Sequence, residues 1–446
     1  MKQATIVGAG LVGSLWATYL AKAGYQVTIF ESRSDLRKLQ LTAGKSINLA
    51  LSNRGWKALE TVGIADEVRK IAIPMYGRTM HDLEGNLTFQ PYGKENEAIF
   101  STSRAHLNCI LMDFAEQKAQ TKIHFNQQCI DFDSNKNCLT FKNTETGEIT
   151  QHTSDLVFGC DGAFSAVRFF GLQRTDRFGF QQNFIADGYR EILLPANEDG
   201  THKLAKNTLH IWPRGRFMLI ALPNEDGSYT CTLFMPHEGG ENAFDKVNTK
   251  EEVTAFFQKT FPDFYALMPQ IADEWENHPL SSLCIMKCSK YHYKKTVLMG
   301  DAAHATVPFY GQGMNAGFED CTVMWQLMQK HNENWEAIFE EYSQLRKPDG
   351  DALQELSLFN YLVMRDFVAD EQFLLRKKIE AKFSLLYPNK WMPLYSQVTF
   401  SEIRYSDAHA AGERQSKIMD EIMLIPNIEA KWDSQEVMDK ILSLVG

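Results

Sequence analysis

Three glycines near the start of the chain could do chemistry through what they lack. Gly8, Gly10 and Gly13 form G-x-G-x-x-G between a short apolar run, Thr5-Ile6-Val7, and a stretch of helical character over residues 13–23. In that context the first glycine permits a tight turn and the second lets a pyrophosphate approach the backbone. The third allows the helix to pack closely on the strand. A helix starting there would offer free N–H groups, Leu11 and Val12 among them, and the positive end of its dipole to the phosphates. Gly24 ends the helix, residues 27–30 (VTIF) read as a second strand, and Glu31 caps it, 18 residues after Gly13. A carboxylate there can accept from a ribose 2′-OH, which favours FAD or NAD over NADP, whose 2′-phosphate it would repel. Only one such fingerprint occurs, so the chain is expected to own one dinucleotide and to meet any second one transiently.

Two later turns follow buried strands. Asp161-Gly162 comes after residues 156–160 (LVFGC), and Gly300-Asp301 comes after residues 296–299 (TVLM). A third glycine-bearing segment, residues 308–320 (PFYGQGMNAGFED), leads into a helix whose N-terminus suits an electron-rich ring edge. In this order the motifs closely resemble those of the flavoprotein aromatic hydroxylases that share the para-hydroxybenzoate hydroxylase fold (class A). The likeness narrows to the kynurenine-hydroxylating members through residues 46–52 (SINLALS), 209–214 (LHIWPR), 230–236 (TCTLFMP) and 393–395 (PLY), and it covers nearly the whole chain.

The resemblance implies an FAD-dependent monooxygenase that converts L-kynurenine to 3-hydroxykynurenine, with NADPH as reducing co-substrate and O₂ added through a flavin C4a-hydroperoxide. It puts Asp301 on the flavin, Asp161 and Arg168 near it, and Arg104 beside the FAD. Gly311, Gly313, Met314 and Asn315 then fall along the isoalloxazine. For the substrate it assigns Arg78 to the amino-acid carboxylate, Tyr92 as its hydroxyl partner, and Asn360 and Tyr395 as polar contacts from the C-terminal part. Leu209, Leu222, Phe234, Pro308 and Phe309 would form an apolar slot with Tyr189 at its edge. Taken from the residues alone, Arg78 is an ordinary strand charge, and Asn360 and Tyr395 are ordinary helix residues.

No side chain is required as a catalyst, because the oxidation chemistry is borne by the flavin. His304, beside the Gly300-Asp301 turn, invites a role as base. It reads as structural, since no charged partner is visible for it in the sequence. Tyr310 departs from the Phe or His that relatives often carry there. Tyr361, Met364 and Arg365 lie on the segment expected to close over the pocket.

These residues need an α/β fold: a Rossmann-like FAD-binding domain, an inserted antiparallel-sheet substrate domain and a C-terminal helical region. The expected boundaries are 1–75, 100–175 and 291–330 for the first, 76–99 and 176–290 for the second, and 331–446 for the third. Helices are expected over 54–61 and 104–119, and hairpin strands over 123–133 and 137–142. Alternating strands are expected through 176–290, and mostly helix beyond 317.

Composition bounds the rest. Over 446 residues, 56 acidic against 46 basic side chains argue against a nucleic-acid binder. A 44% hydrophobic, 23% charged chain is an ordinary globular one, and its 29 Phe suit a large apolar interior or pocket. Eight cysteines without a C-x-x-C pair point to reduced thiols rather than disulfides or a zinc site, and no metal is expected. No apolar run approaches the ~18–20 residues of a membrane span, and the chain ends in a polar amphipathic segment. A soluble, cytoplasmic, bacterial-type enzyme without a membrane anchor is expected, with a homodimer left open. Two alternatives stand beside it: the same cofactor chemistry on another amino- or hydroxy-aromatic acid, and a flavin-binding sensor without turnover. A flavin-dependent halogenase lacks its Trp-x-Trp-x-Ile-Pro segment, since residues 211–214 read IWPR.

Overall fold

The computed structural model describes residues 2–38, 48–93, 97–119, 121–364 and 370–446. Ser46, Ile47 and Arg365, named above, lie outside the described residues.

The first sheet explains why three distant turns meet. Gln3–Val7 pairs in parallel with Gln26–Phe30 on one side and Val157–Gly159 on the other. Val157–Gly159 in turn pairs in parallel with Thr296–Leu298. Parallel neighbours finish at the same edge, so the chain leaves three strands side by side at Gly8, Cys160 and Met299. Ligands bind in that position in open α/β sheets. Helix Leu11–Lys22 crosses the sheet with Leu15, Trp16, Tyr19 and Leu20 fully buried. Lys122–His124 extends the edge beyond Gln26–Phe30, and His292–Tyr293 closes the other edge antiparallel.

The second sheet has seven strands in the order 281–288, 180–194, 229–236, 218–223, 209–213, 77–81, 87–91. It is antiparallel except where Gly77–His81 joins Leu209–Pro213 in parallel, with Arg78 opposite Leu209. One face is covered by helices Lys250–Thr260, Pro262–Leu267 and Ile271–Glu274, which bury Phe257, Phe264 and Ile271 against Trp212, Tyr229 and Leu233. This helical layer lies inside the span read as alternating strands. Its start was signalled by Thr249-x-x-Glu252, which forms a reciprocal capping box, and by the helical spacing of Val253, Phe256 and Phe257.

The expected 123–133 strand also divides. Lys122–His124 belongs to the parallel sheet, and Gln127–Asp133 starts a separate three-stranded antiparallel sheet with Cys138–Asn143 and Ile149–Thr153. Asn126, with φ +58°, makes the break, a conformation asparagine tolerates better than most side chains.

Helices Gly313–Lys330 and Trp335–Leu362 follow the parallel sheet. The remaining helices include Leu394–Thr399, Tyr405–Met423 and Gln435–Val445. Those of the far C-terminus share a small core that includes Phe383, Trp391, Met419 and Ile441. All eight cysteines are free thiols. Among the described residues no helix is long and apolar enough to cross a membrane, and no cluster of His, Cys, Asp and Glu could hold a metal ion.

Candidate active site

A cavity of about 770 Å³ runs from the edge of the parallel sheet to the open face of the second sheet. At its first end the wall is largely main chain. Gly8 has φ +101°, and a Cβ there would sit 2.5 Å from the Cys160 carbonyl oxygen. A Cβ at Gly13 would come within 2.0 Å of the Gly8 carbonyl oxygen, so helix, turn and neighbouring strand are in direct contact. Gly10 lines the cavity, and a Cβ there would meet no protein atom, which leaves an open cradle. Helix Leu11–Lys22 has no side-chain cap and no acidic residue in its first turn, so its N–H groups stay free for an anion. These features fit a dinucleotide pyrophosphate.

Glu31 reaches the same end with its side chain nearly buried. One oxygen accepts from the Ala9 N–H at 2.8 Å, and the other accepts from the Arg33 N–H and Nε at 2.9 and 2.8 Å. Burial raises its carboxyl, but Arg33 and these donors outweigh that and leave it below the usual range. Glu31 therefore steadies the glycine loop as well as facing the cavity. Arg33 lines the cavity too and was not singled out in the sequence.

Asp161 accepts from the Ala166 and Val167 N–H groups at 2.7 and 3.1 Å through one oxygen. The other oxygen is buried without a partner among the described residues. Burial pushes its carboxyl up, opposed by those hydrogen bonds. Asp161, Asp301, Arg104, Leu11, Val12, Gly311, Gly313 and Met314 all line the cavity.

Gly13 makes the close helix–turn packing just described, and three residues expected near the cofactor or substrate stand behind the wall. Arg168 donates to the carbonyls of Ala302 and Ala163 at 2.7 and 2.6 Å and lies over the Phe180 ring, tying the Asp161 and Asp301 turns together. Asn315 donates to the Ala50 and Gly311 carbonyls and accepts from the Ser52 N–H, which ties strand Asn48–Leu51 to the later glycine loop. Asn360 spends its amide on the Phe309 carbonyl at 2.7 Å and on Met364 Sδ. Each supports a wall rather than presenting a polar atom to the cavity.

His304 has the charged partner that sequence could not show. Its Nε2 lies 2.7 Å from Asp320 Oδ2, and both side chains are buried. Burial alone would lower the imidazole and raise the carboxyl. The pairing reverses both, with Arg346 helping to hold Asp320 down at about 2.

The second end is made of side chains. Arg78 points into a box of phenols, its guanidinium 5.3 Å from the Tyr92 ring centre and 5.0 Å from that of Tyr395. Tyr92 and Tyr395 stack at 5.3 Å, and Tyr395 stacks in turn on Tyr310 at 5.6 Å. Burial draws the Arg78 guanidinium down, the phenols draw it up further, and the net is upward. Burial raises the Tyr92 and Tyr395 hydroxyls, so the box holds a permanent cation among neutral phenols at neutral pH. Arg78 Nε and the Tyr92 hydroxyl are buried with no hydrogen-bond partner among the described residues. Unsatisfied donors of this kind are costly and mark a place for an acceptor the chain does not supply. The acidic lining residues Glu31, Asp161 and Asp301 all belong to the other end.

Between the ends lies an apolar slot. Leu209, Leu222, Phe234, Pro308, Phe309 and Tyr189 line it. Phe309 stacks on Tyr361 at 4.1 Å and meets Phe234 at 4.8 Å. Met75, Ile99, Ile220, Thr232 and Leu283 also line it and were missed, and Met364, from the segment expected to close over the pocket, joins them. The two-residue alternation of strands 218–223 and 229–236 would have pointed to Ile220 and Thr232, which follow from Leu222 and Phe234.

Known proteins agree with this geometry. An FAD binding domain family matches residues 1–357. The chain is 50% identical over 441 residues to a kynurenine 3-monooxygenase of Flavobacterium johnsoniae, covering 99% of this chain and 98% of the relative. It is 42% identical to that of Sus scrofa, covering 93% and 87%. Among solved structures, 2-methyl-3-hydroxypyridine-5-carboxylic acid oxygenase superposes with a TM-score of 0.67 at 19% identity, over 86% of this chain and 97% of that one. A p-nitrophenol 4-monooxygenase from Pseudomonas putida superposes with a TM-score of 0.64 at 17% identity, over 98% and 100%. The solved structures establish the fold, and the curated relatives establish the lineage. With its glycine cradle and its arginine box at opposite ends of one cavity, the chain belongs to the kynurenine 3-monooxygenase family of FAD-binding proteins.

Proposed function

We propose that this chain is an FAD-dependent monooxygenase that hydroxylates L-kynurenine to 3-hydroxykynurenine with NADPH and O₂. The observation that carries the reading is the Arg78 box: a half-buried arginine and a half-buried phenol, whose Nε and hydroxyl are buried without partners among the described residues, an apolar slot away from a dinucleotide cradle. An amino-acid carboxylate would take the Arg78 guanidinium and the Tyr92 hydroxyl as donors. The aromatic ring would then lie along Leu222, Phe234 and Phe309, with its free edge toward the cofactor. Bound FAD would supply the redox chemistry, carrying reducing equivalents from NADPH to O₂ and one oxygen atom to the ring.

The rest falls to the protein. Gly10 and the N-terminus of helix Leu11–Lys22 would seat the pyrophosphate, Glu31 the ribose, and Asp161, Asp301 and Arg104 the remainder. Phe309, Tyr361 and Met364 pack together over the slot, where keeping water from the reactive centre favours oxygen transfer over peroxide release. The anilino nitrogen of the substrate directs attack to the carbon ortho to it, so no catalytic side chain is needed.

The domain boundaries stated above, a cytoplasmic location and a homodimer belong to the same proposal. Limited proteolysis, cell fractionation and light scattering test them in turn. The central test is product identification. Protein with FAD, NADPH, O₂ and kynurenine should yield a product heavier by one oxygen, and hydrogen peroxide without that mass shift would sink the assignment. Because Arg78 would grip any carboxylate, other amino- and hydroxy-aromatic acids belong in the same assay.

A further inference from the structure

The turn that carries Asp301 is held from behind by a fully buried carboxylate that does not line the cavity. Asp320, on helix Gly313–Lys330, accepts from the Gly300 N–H at 2.8 Å and from His304 Nε2 at 2.7 Å, both at Oδ2. Its Oδ1 accepts from Arg346 Nε at 2.7 Å. Arg346 is itself fixed by Glu319, Asp349 and the Ala316 carbonyl, so the carboxylate has no freedom to follow the turn.

Gly300 occupies φ +59° and ψ −141°, a backbone region open to glycine that residues with a Cβ rarely enter. A Cβ at Gly300 would lie 2.8 Å from Val12 Cγ2, and one at Gly317 would lie 2.6 Å from the same atom. Val12, beside the glycine cradle, is therefore clamped between the Asp301 turn and the helix that bears Asp320. Burying a carboxylate is costly unless its partners compensate, and apolar packing would suffice if only the core were at stake.

We propose that Asp320 is a positioning residue for the cofactor: it sets the Gly300 backbone, and through it the aim of the Asp301 carboxylate into the cavity. The proposal rests on the reading that Asp301 contacts FAD. His304 is its second point of attachment to the same turn, which gives this buried histidine a role without making it a base.

The test is FAD affinity and the spectrum of the bound flavin in wild type, Asp320→Asn and His304→Gln. An amide of the same shape cannot accept from all three donors, so Asp320→Asn should weaken FAD binding roughly tenfold or more and shift the bound flavin's absorption bands. His304→Gln, which keeps the Asp320–Arg346 pair, should do the same to a smaller degree. If Asp320→Asn does not fold, the His304→Gln titration decides. A variant that melts earlier yet binds FAD with wild-type affinity and an unshifted spectrum would make Asp320 a core residue only and overturn the proposal. Wild-type protein that fails to bind FAD would overturn the cofactor reading, and the proposal with it.

Discussion

The two ends of the cavity are built from different material. At the glycine end, the surface is main chain from three parallel strands that finish side by side, with Gly8, Gly10, Asp161 and Asp301 each within a turn of a strand end. At the other end, Arg78 and Tyr92 come from one antiparallel hairpin and Tyr310 and Tyr395 from two further segments, and the box itself is made by side-chain contacts between them. A backbone site is specified by where side chains must be absent: Gly13 is limited within its own turn by the Gly8 carbonyl, and Gly8 by its positive φ and by the Cys160 carbonyl of the neighbouring strand. A side-chain site is specified by how remote segments pack, and no local pattern announces it.

Substitutions can break this contrast. The largest effect should come from Gly13→Val, where a Cβ would need to occupy space 2.0 Å from the Gly8 carbonyl oxygen. Overpacking of this kind costs roughly 1–3 kcal/mol or more. Purified protein should lose its flavin and melt earlier, and a variant that stays yellow would show that the turn can give way.

Arg78→Ala comes next. It should leave flavin binding unchanged and raise the kynurenine KM by roughly 30- to 1,000-fold, for the loss of about 2–4 kcal/mol of charge-assisted hydrogen bonding. A KM near wild type would mean that the carboxylate binds elsewhere.

Acid should separate the ends in a third way. Asp320 is held at about 2, below the 3.8 of a free aspartate, so its contribution is complete above about pH 4 and is lost as pH falls through about 2. That contribution is on the order of 2 kcal/mol. The stability gap between wild type and Asp320→Asn, measured by chemical unfolding, should therefore shrink between about pH 6 and about pH 3. A constant gap would contradict the ion pairing.

The smallest effect should be that of Tyr395→Phe, which keeps the stack on Tyr92 and Tyr310 and removes one hydroxyl. The expected rise in KM is roughly 2- to 10-fold, from about 0.5–1.5 kcal/mol. A larger rise, approaching that of Arg78→Ala, would make the hydroxyl an equal partner in binding the carboxylate.

Much of the cofactor end could be read along the chain. The strand, the three glycines, the helix and Glu31 lie within one βαβ unit, where local conformational rules apply directly. The helix over 104–119 and the strand at 296–299 were legible for the same reason. Lys250–Thr260 carries its helix start in the Thr249–Glu252 capping box, within a stretch where strand alternation is otherwise the stronger local pattern. At the substrate end, only family resemblance singled out Arg78 and Tyr92, and the same resemblance placed Asn360 on the ligand. In the fold Asn360 turns to the Phe309 carbonyl, a choice set by the packing of helix Trp335–Leu362 against residues 308–310.

The sequence by itself determined where the backbone must bend and approach closely, since a glycine's permitted turns and a helix's free N–H groups are properties of a few adjacent residues. It also determined the parallel-strand texture that brings those bends to one edge. Only the tertiary structure decided which charges are paired. His304 meets Asp320 across 16 positions, Arg54 meets Glu319 across 265, and Arg78 faces the cavity among phenols. Electrostatic partnership depends on distance in space and on the water excluded around it, and neither is encoded in the spacing of residues along a chain.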